Sequence, residues 1–203
     1  MRQFIKTFPL LGPFLCRVYY IWIRPPEAFP GTKEYWEQRY ATGGNSGDGS
    51  YNRLAEFKAE ILNDFESEFK IRSVLEFGCG DGNQLSLSRY PSYVSYDISQ
   101  TVISHCRAKF QDDNTKSFCL LEDYRNEKAE LVLSLDVIFH LVEDPVFEDY
   151  MKRLFQAAER FVIIYSSDRE DSFQHPGSHV RHRCYSKWID FNQPGWTRLR
   201  HIP

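Results

Sequence analysis

The sequence predicts an α/β protein built on a doubly wound, mostly parallel sheet. Two observations carry this prediction. Short apolar stretches that resemble buried strands alternate with longer stretches whose apolar residues recur at helical spacing, and glycine or acidic residues stand where the apolar stretches end. Because this alternation is typical of βαβ units, we expect helices on both faces of the sheet and a ligand site at the carboxyl ends of the strands.

Length and composition limit the classes of protein. The 203 residues carry a net charge of -3 and suffice for one domain with its own core. This balance provides no global basic field, so we expect no nucleic-acid partner. The five cysteines are scattered and form no C-x-x-C pair, which is typical of a reducing compartment. These features favour a cytoplasmic enzyme.

The first part of the chain is apolar and aromatic but is interrupted by Pro9, Pro13 and Arg17. A transmembrane helix would need about 20 uninterrupted apolar residues, and no cleavage site of a secretory signal follows. We therefore separate residues 1–30 from a domain at residues 31–203. The segment either packs on the domain or a partner, or lies in a membrane interface, which would give a membrane-peripheral location.

Residues 32–53 combine a short helix with a glycine-rich loop. Thr32 is the candidate N-cap of the short helix, and Ser50 is the candidate cap of the next one. The apolar residues of that next helix recur at helical spacing, which predicts a core-facing stripe. The loop between the two helices is interpreted as a flexible connection within the domain.

A strand at residues 73–77 leads into a turn with glycine at every second position: Gly78, Gly80 and Gly82. A helix is expected at residues 83–90. Glycine adopts positive φ and lets a ligand approach the main chain, and a helix N-terminus offers unpaired N–H groups. The turn is therefore predicted to bind a ligand.

Acidic residues beside this turn indicate the kind of ligand. The dinucleotide-binding pattern is G-x-G-x-x-G, with a pyrophosphate on the helix N-terminus. Here Glu76 lies near the end of the strand and Asp81 lies within the turn, and both would repel a pyrophosphate. A cationic ligand is favoured instead.

The pattern Glu76-x-Gly78-x-Gly80-x-Gly82 resembles motif I of the class I S-adenosylmethionine-dependent methyltransferases, whose cofactor carries an ammonium and a sulfonium and no phosphate. The resemblance implies S-adenosyl-L-methionine as the cofactor, in contact with these four residues. It also implies that residues 32–53 form a lid over the cofactor and the acceptor.

Asp97 ends the second predicted strand, at residues 92–96. A carboxylate at this position suits an adenosine ribose, because it can accept from both hydroxyl groups. The alternative is that Asp97 or Ser99 caps the following helix. Since Ser99 can supply the cap, we predict that Asp97 contacts the ribose.

Glu122 and Asp123 follow the third strand, at residues 117–121. The resemblance implies that an acid at this position accepts from the adenine amino group. Because side chains alternate, only one of the two is expected to face the site, and we choose Asp123. Both residues could instead be solvated loop charges.

The fourth strand, at residues 131–135, is nearly all apolar and ends at Asp136. The segment from Asp136 to His140 resembles family motif IV in its small-molecule form, and it lacks the N-P-P-[YF] tetrad of enzymes that act on amino groups of bases or glutamine. The resemblance places Asp136 by the methionine end of the cofactor. His140 is the candidate catalytic base, with a pocket wall or helix contact as the alternative.

A helix starting with Asp144 as cap and a fifth strand at residues 161–165 complete the alternation. We expect a further helix at residues 185–192 and a strand at residues 196–202. The last strand of the family's closing hairpin would then be missing. Either the chain is a fragment, or the sheet edge is covered by the N-terminal segment, a partner or a second copy in a homodimer.

Residues 175–184 are rich in histidine and arginine. Their spacing matches no standard zinc site, so we predict no metal. Arg181 and Arg183 alternate on an extended segment and could bind a carboxylate or phosphate of the acceptor. These two arginines and Tyr35 are the predicted acceptor contacts, against the alternative of a solvated or salt-bridged loop.

The predicted function is methyl transfer from S-adenosylmethionine to an oxygen or nitrogen of a small-molecule, sugar or lipid-linked acceptor. Residues 29–36 and 179–183 look like a bacterial subgroup, and this likeness does not define the acceptor. One alternative is a catalytically inactive cofactor-binding or membrane-recruited scaffold on the same fold. The other is an NAD(P)-dependent oxidoreductase, which the G-x-G-x-G spacing disfavours.

Overall fold

A five-stranded sheet in the order β3-β2-β1-β4-β5 forms the centre of the computed structural model, which describes residues 28–171 and 177–202. Every pair of neighbouring strands runs parallel. The strands are β1 (Val74–Phe77), β2 (Tyr93–Asp97), β3 (Lys116–Leu120), β4 (Ala129–Leu135) and β5 (Ala158–Tyr165). The sheet is thus wholly parallel rather than mostly parallel.

Five α-helices lie within the described ranges. They are α1 (Thr32–Ala41), α2 (Asn52–Phe69), α3 (Gln100–Lys109), α4 (Asp144–Gln156) and α5 (Tyr185–Asn192). Short 3-10 turns occur at Asp48–Ser50, Leu85–Leu87, Leu121–Asp123 and Ile138–His140.

Two apolar clusters bury the two faces of the sheet. One cluster joins α2 and α3 to Val74 and Leu133, and the other joins α4 to Leu75 and Val132. Successive residues of a strand point to opposite faces, so the apolar runs of β1 and β4 are buried along their whole length. The doubly wound prediction is confirmed.

The strand order reverses at β1, which lies between β2 and β4. In open parallel sheets the ligand crevice lies at such a reversal, beyond the carboxyl ends of the strands. The ends of β1, β2 and β4 carry the glycine turn, Asp97 and Asp136. The fold therefore brings these three predicted features to one place.

Helix starts follow the sequence prediction in one case and depart from it in three. Ser99 caps α3, because its hydroxyl accepts from the backbone N–H of Val102 at 3.2 Å. The caps predicted at Thr32 and Asp144 were wrong, since these residues are the first of α1 and α4. Ser50 ends a 3-10 turn and does not cap α2. The side chains of Thr32 and Asp144 instead join distant segments.

The helix expected at residues 83–90 is wrong: only the 3-10 turn at Leu85–Leu87 forms there. Ser86 donates its hydroxyl to the carbonyl of Gly82 at 2.9 Å, a side-chain bond that competes with helix formation. Pro91 then disfavours helical backbone at Tyr90. Too few residues remain between the glycine turn and the proline for a stable helix.

The strand expected at residues 196–202 is also wrong. Its apolar residues, Trp196, Leu199 and Ile202, recur at every third position, which does not match the two-residue period of a strand. Trp196 packs edge-on against Phe155 with ring centroids 5.2 Å apart. Within the described residues, β5 therefore has β4 as its only sheet neighbour.

The interpretations of residues 1–24 lie outside the described residues. In the part of the chain that is described, none of the helices is long and apolar enough to cross a bilayer.

Candidate active site

A cavity of about 450 Å³ lies beyond the carboxyl ends of β1, β2 and β4. Its walls come from the glycine turn, the strand ends, α1, α4 and the 3-10 turn after β4. Its size falls within the usual range for small-molecule and cofactor sites. Six predicted site residues line it: Glu76, Gly78, Gly80, Asp97, Asp136 and His140.

Gly78 and Gly80 form the base of the cavity with positive φ values of 91° and 54°. A Cβ at Gly78 would lie 2.7 Å from Val137 Cγ2, and one at Gly80 would collide with Ser46 Oγ. Only glycine fits these two positions, because larger residues would be strained and would fill the cradle. The missing side chains therefore leave room for Val137 and for Ser46 of the loop, which pack against the turn.

Gly82 has a different environment from the other two glycines. A Cβ there would lie 2.8 Å from Cε2 of Phe110, just beyond the end of α3, and Gly82 does not line the cavity. The structure corrects the predicted cofactor contact of Gly82: this glycine allows α3 to pack closely against the turn.

Glu76 is a buried carboxyl group that lines the cavity. Tyr93 donates its hydroxyl to Oε2 of Glu76 at 2.5 Å. Burial raises the pKa of Glu76 to about 7, although this hydrogen bond and the nearby charge of Lys58 oppose the rise. The group can therefore exchange a proton near neutral pH.

Asp97 is also buried and is held by two backbone N–H groups. Its Oδ2 accepts from Gly80 at 3.2 Å and its Oδ1 accepts from Ser99 at 3.0 Å. Burial raises the pKa of Asp97 to about 6, against the effect of these backbone bonds. Because Ser99 supplies the helix cap, Asp97 is free to present its carboxylate to the cavity.

Asp136 follows β4 with a left-handed backbone, φ 58°, which is uncommon for a residue other than glycine. Its Oδ2 lies 2.5 Å from Nζ of Lys58, whose side chain is only 2% exposed. Sequence reasoning missed Lys58, which lies on the buried face of α2 beside Ala55, Ala59 and Leu62. The sequence signal that could have identified Lys58 is a lysine within the apolar stripe of a helix.

His140 ends the 3-10 turn after β4 and lines the cavity. Its Nδ1 lies 3.1 Å from the carbonyl oxygen of His179, and the ring of Trp36 meets it edge-on at 4.8 Å. Burial lowers the pKa of His140 to about 4. The imidazole is therefore neutral at physiological pH.

The aromatic residues of α1 divide between the cavity and its rim. Trp36 and Tyr40 line the cavity, and sequence reasoning did not assign Trp36 to the site. Tyr35 instead stacks on the ring of His179 with centroids 4.5 Å apart and lies outside the cavity wall. The structure therefore does not place the predicted acceptor contact Tyr35 in the cavity.

Asp123 lies on the exposed 3-10 turn after β3 and does not line the cavity. Its neighbour Glu122 approaches Lys33 at 3.7 Å on the surface. Leu121 is the residue of this turn that lines the cavity. The structure corrects the predicted adenine contact of Asp123, because the turn directs both acids to solvent.

Arg181 and Arg183 lie on one face of the extended segment, and both bind Asp144. The nitrogens of Arg183 also donate to the carbonyls of Leu141 and Val142, and Arg183 is only 7% exposed. These contacts match the alternative of a salt-bridged loop. The acceptor role of Arg183 is corrected, since Asp144 and main-chain carbonyls already occupy its guanidinium.

Polar contacts hold residues 32–50 over the cavity at three places. Glu37 accepts from the hydroxyls of Ser99 at 2.6 Å and Thr101 at 2.5 Å, at the start of α3. Asp81 in the glycine turn accepts from the backbone N–H of Ser46 at 2.9 Å. The third contact joins Thr32 to Glu143 at 2.5 Å, beside α4.

The arrangement suits S-adenosylmethionine. Buried carboxylates can accept from the ribose hydroxyls and the ammonium, and the two glycines line the cavity beside them. Acidic groups at this end of the sheet do not suit a pyrophosphate. In residues 28–171 and 177–202, no group of three or more potential metal ligands converges.

The parallel sheet and the cavity at its strand reversal define a Rossmann-like fold. Residues 48–195 match the family described as "Methyltransferase domain", and the chain belongs to this family. Among curated proteins, no sequence matches the chain.

Solved structures with a similar fold include the methyltransferase domain of a bacterial protein, CtHen1-C, with a TM-score of 0.53 and 16% identity over 68% of this chain and 82% of that chain. The N-methyltransferase NodS from Bradyrhizobium japonicum, solved with S-adenosyl-L-homocysteine, has a TM-score of 0.50 and 15% identity over 63% of this chain and 68% of that chain.

DesVI from Streptomyces venezuelae has a TM-score of 0.48 and 17% identity over 59% of this chain. The match spans 54% of the DesVI chain, about half of its length. At these identities the likeness to all three proteins concerns the fold.

Proposed function

We propose that the enzyme methylates an oxygen or nitrogen atom of a small-molecule, sugar or lipid-linked acceptor. The observation that carries this proposal is the position of His140. A neutral, half-buried imidazole lines the same cavity as the glycine turn and Asp97. A single cavity thus holds five of the predicted cofactor contacts and a group that can receive a proton.

When bound, S-adenosylmethionine supplies a methyl group on a sulfonium, and the electron pair of the broken carbon–sulfur bond stays on sulfur as the acceptor atom takes the methyl. Asp97 is proposed to accept from the ribose hydroxyls, and Gly78 and Gly80 to lie along the methionine part. Trp36 and Tyr40 of α1 line the cavity and are proposed to exclude water from the bound cofactor.

His140 is proposed to receive the proton of the acceptor. The bond to the carbonyl of His179 favours a proton on Nδ1, which leaves the lone pair on Nε2. Since the pKa of His140 is about 4, this lone pair is free throughout the physiological range. The low pKa also makes His140 a weak base, so it takes the proton only as the methyl bond forms.

A labelled-methyl transfer assay tests the proposal. The protein would be incubated with methyl-labelled S-adenosylmethionine and cell extract, and the labelled product would be isolated and identified. We expect label in a small, sugar-containing or lipid-linked molecule. Label only in protein or nucleic acid would contradict the proposed acceptor class. Cofactor binding without transfer to any extract fraction would favour the scaffold alternative.

A further inference from the structure

The buried ion pair between Lys58 and Asp136 connects α2 to the cavity. We propose that Lys58 is a positioning residue: it compensates the charge of Asp136 and so limits how strongly the site prefers cationic S-adenosylmethionine over neutral S-adenosylhomocysteine. This inference rests on the proposed function and on the resemblance to methyltransferase motif IV, which implies that Asp136 lies by the methionine end of the cofactor. Neither the methyltransferase motif nor the predicted site residues include Lys58.

Lys58 reaches Asp136 from behind the cavity wall. Its Nζ lies 2.5 Å from Oδ2 of Asp136 and 5.0 Å from the centroid of the Tyr165 ring. Asp136 lines the cavity, whereas Lys58 does not. Among the described residues, the one cavity-lining carboxylate that Lys58 contacts is that of Asp136.

The carboxylate of Asp136 is fixed from several sides. The backbone N–H of Asp136 donates to the carbonyl of Tyr165 at 2.8 Å, which anchors the left-handed turn. Gly49 lies so close that a Cβ there would be 2.6 Å from Oδ2 of Asp136. With Lys58 on the same oxygen, the side chain has little room to turn away. Its charge is thus held at one place in the wall.

Fold stability alone does not explain a lysine at this position. A buried ion pair is often no more stable than well-packed apolar residues of similar volume, because both charges lose their hydration. Lys58 lies among the buried residues of α2, where an apolar side chain would fit the pattern. We therefore expect the charge of Lys58 to affect ligand binding in the cavity that Asp136 lines.

The positive charge of Lys58 offsets part of the negative charge in the cavity wall. Glu76, Asp97 and Asp136 all line the cavity, and Lys58 lies close enough to Glu76 to lower the pKa of that carboxyl group. Methyl transfer converts a cationic sulfonium into a neutral thioether. An uncompensated carboxylate beside it would stabilise the reactant more than the transition state, which slows the reaction. Lys58 reduces this unproductive attraction.

The test compares the dissociation constants of S-adenosylmethionine and S-adenosylhomocysteine by calorimetry. In Lys58→Met, which removes the charge and shortens the unbranched side chain by one atom, we expect the preference for S-adenosylmethionine to rise about tenfold, because Asp136 loses its counter-ion. Lys58→Arg should retain the wild-type ratio. Asp136→Asn should shift the preference the other way, since Lys58 is then uncompensated.

Controls separate this role from a structural one. Lys152→Met changes an exposed lysine on α4 and should leave the ratio of the two dissociation constants unaltered. If Lys58→Met does not fold, Asp136→Asn and the double variant Lys58→Met/Asp136→Asn carry the test, and the double variant should return towards the wild-type ratio. A merely structural role would weaken both ligands equally.

The outcomes distinguish the inference from the function on which it rests. If the wild-type protein bound neither ligand, the proposed function itself would fail. If it bound both, and Lys58→Met or Asp136→Asn left the ratio unchanged, only the role of Lys58 would be overturned.

Discussion

The two sides of the cavity are held in different ways. On the cofactor side, formed by residues 76–82 and the end of β2, the carboxylates are held from within the sheet: Glu76 by Tyr93 of the next strand and Asp97 by adjacent backbone N–H groups. On the acceptor side, formed by α1, the turn at Ile138–His140 and residues 177–183, the contacts join segments far apart in sequence.

The acceptor-side contacts are mostly made by side chains. Thr32 and Glu143 are 111 residues apart in sequence, and Arg183 and Asp144 are 39 residues apart. The cofactor side is therefore part of the buried core, whereas the acceptor side depends on individual polar pairs. Mutations should affect cofactor binding, turnover and stability separately, according to the side on which they fall.

The largest effect is expected on the cofactor side, from Asp97→Ala. Losing a charged acceptor for both ribose hydroxyls should weaken S-adenosylhomocysteine binding about 300-fold, since a hydrogen bond to a charged group contributes about 1.5–3 kcal/mol. Calorimetry measures the dissociation constant. Asp112→Ala, at an exposed position, is the control. A normal dissociation constant for a folded Asp97→Ala protein would remove the ribose assignment.

On the acceptor side, His140→Ala should lower turnover about 100-fold while cofactor affinity stays nearly intact, because a positioned base accelerates such a step by about this factor or more. The exposed His105→Ala is the matched control. Because the pKa of His140 is about 4, the imidazole stays mostly neutral between pH 5 and pH 7. Its titration should therefore not change the turnover of the wild-type enzyme over this range. Unchanged turnover in His140→Ala would show that the imidazole only lines the pocket.

Arg183→Met should destabilise the acceptor side and leave cofactor binding nearly unchanged. Because its guanidinium binds Asp144 and two main-chain carbonyls, we expect about 2 kcal/mol less stability on its removal. Denaturant unfolding measures this loss, and exposed Arg198→Met is the control. Acceptor KM should rise with little change in the dissociation constant of S-adenosylhomocysteine. An equal loss of cofactor affinity would mean that the two sides are coupled.

Lowering the pH should weaken cofactor binding through protonation of Asp97. Its pKa is raised to about 6, so the carboxylate gains a proton as the pH falls from 7 to 5. A protonated group can no longer accept from both ribose hydroxyls, and affinity for S-adenosylhomocysteine should fall up to about tenfold over this range. Calorimetry at both pH values checks this. Asp97→Asn should remove the part of the dependence that Asp97 contributes and leave the part due to Glu76, whose pKa is about 7.

The smallest effect is expected from Arg181→Met. Its side chain is 29% exposed and its partner Asp144 is 68% exposed, so stability should change by less than about 1 kcal/mol. The predicted contact between Arg181 and the acceptor remains open to the same variant. A raised acceptor KM at unchanged stability would support that contact, whereas an unchanged KM would remove it.

The same contrast explains what the sequence could predict. The parallel sheet, Gly78, Gly80 and the positions of Asp97 and Asp136 at strand ends follow from short local patterns, and the structure places all four of these residues in the cavity wall. Lys58 and the partners of Arg183 could not be found in this way. Their roles depend on which distant segments the fold brings together.

Two local predictions failed for local reasons. Serine side chains and Pro91 interrupted a helix whose apolar spacing looked suitable, and a three-residue apolar period was taken for a strand. Asp123 failed because a 3-10 turn, rather than a continued strand, determines the direction of its side chain. At Asp123, backbone geometry over three residues thus overrode the pattern of residue types.

The left-handed backbone of Asp136 also limits how this position can change over evolution. Asparagine and aspartate tolerate such a φ, and glycine adopts it freely, whereas branched side chains do not. Descendants of this sequence could exchange the charge for an amide or lose the side chain altogether without rebuilding the turn. The spectrum of accepted substitutions at position 136 should therefore be narrow, even if Lys58 were replaced.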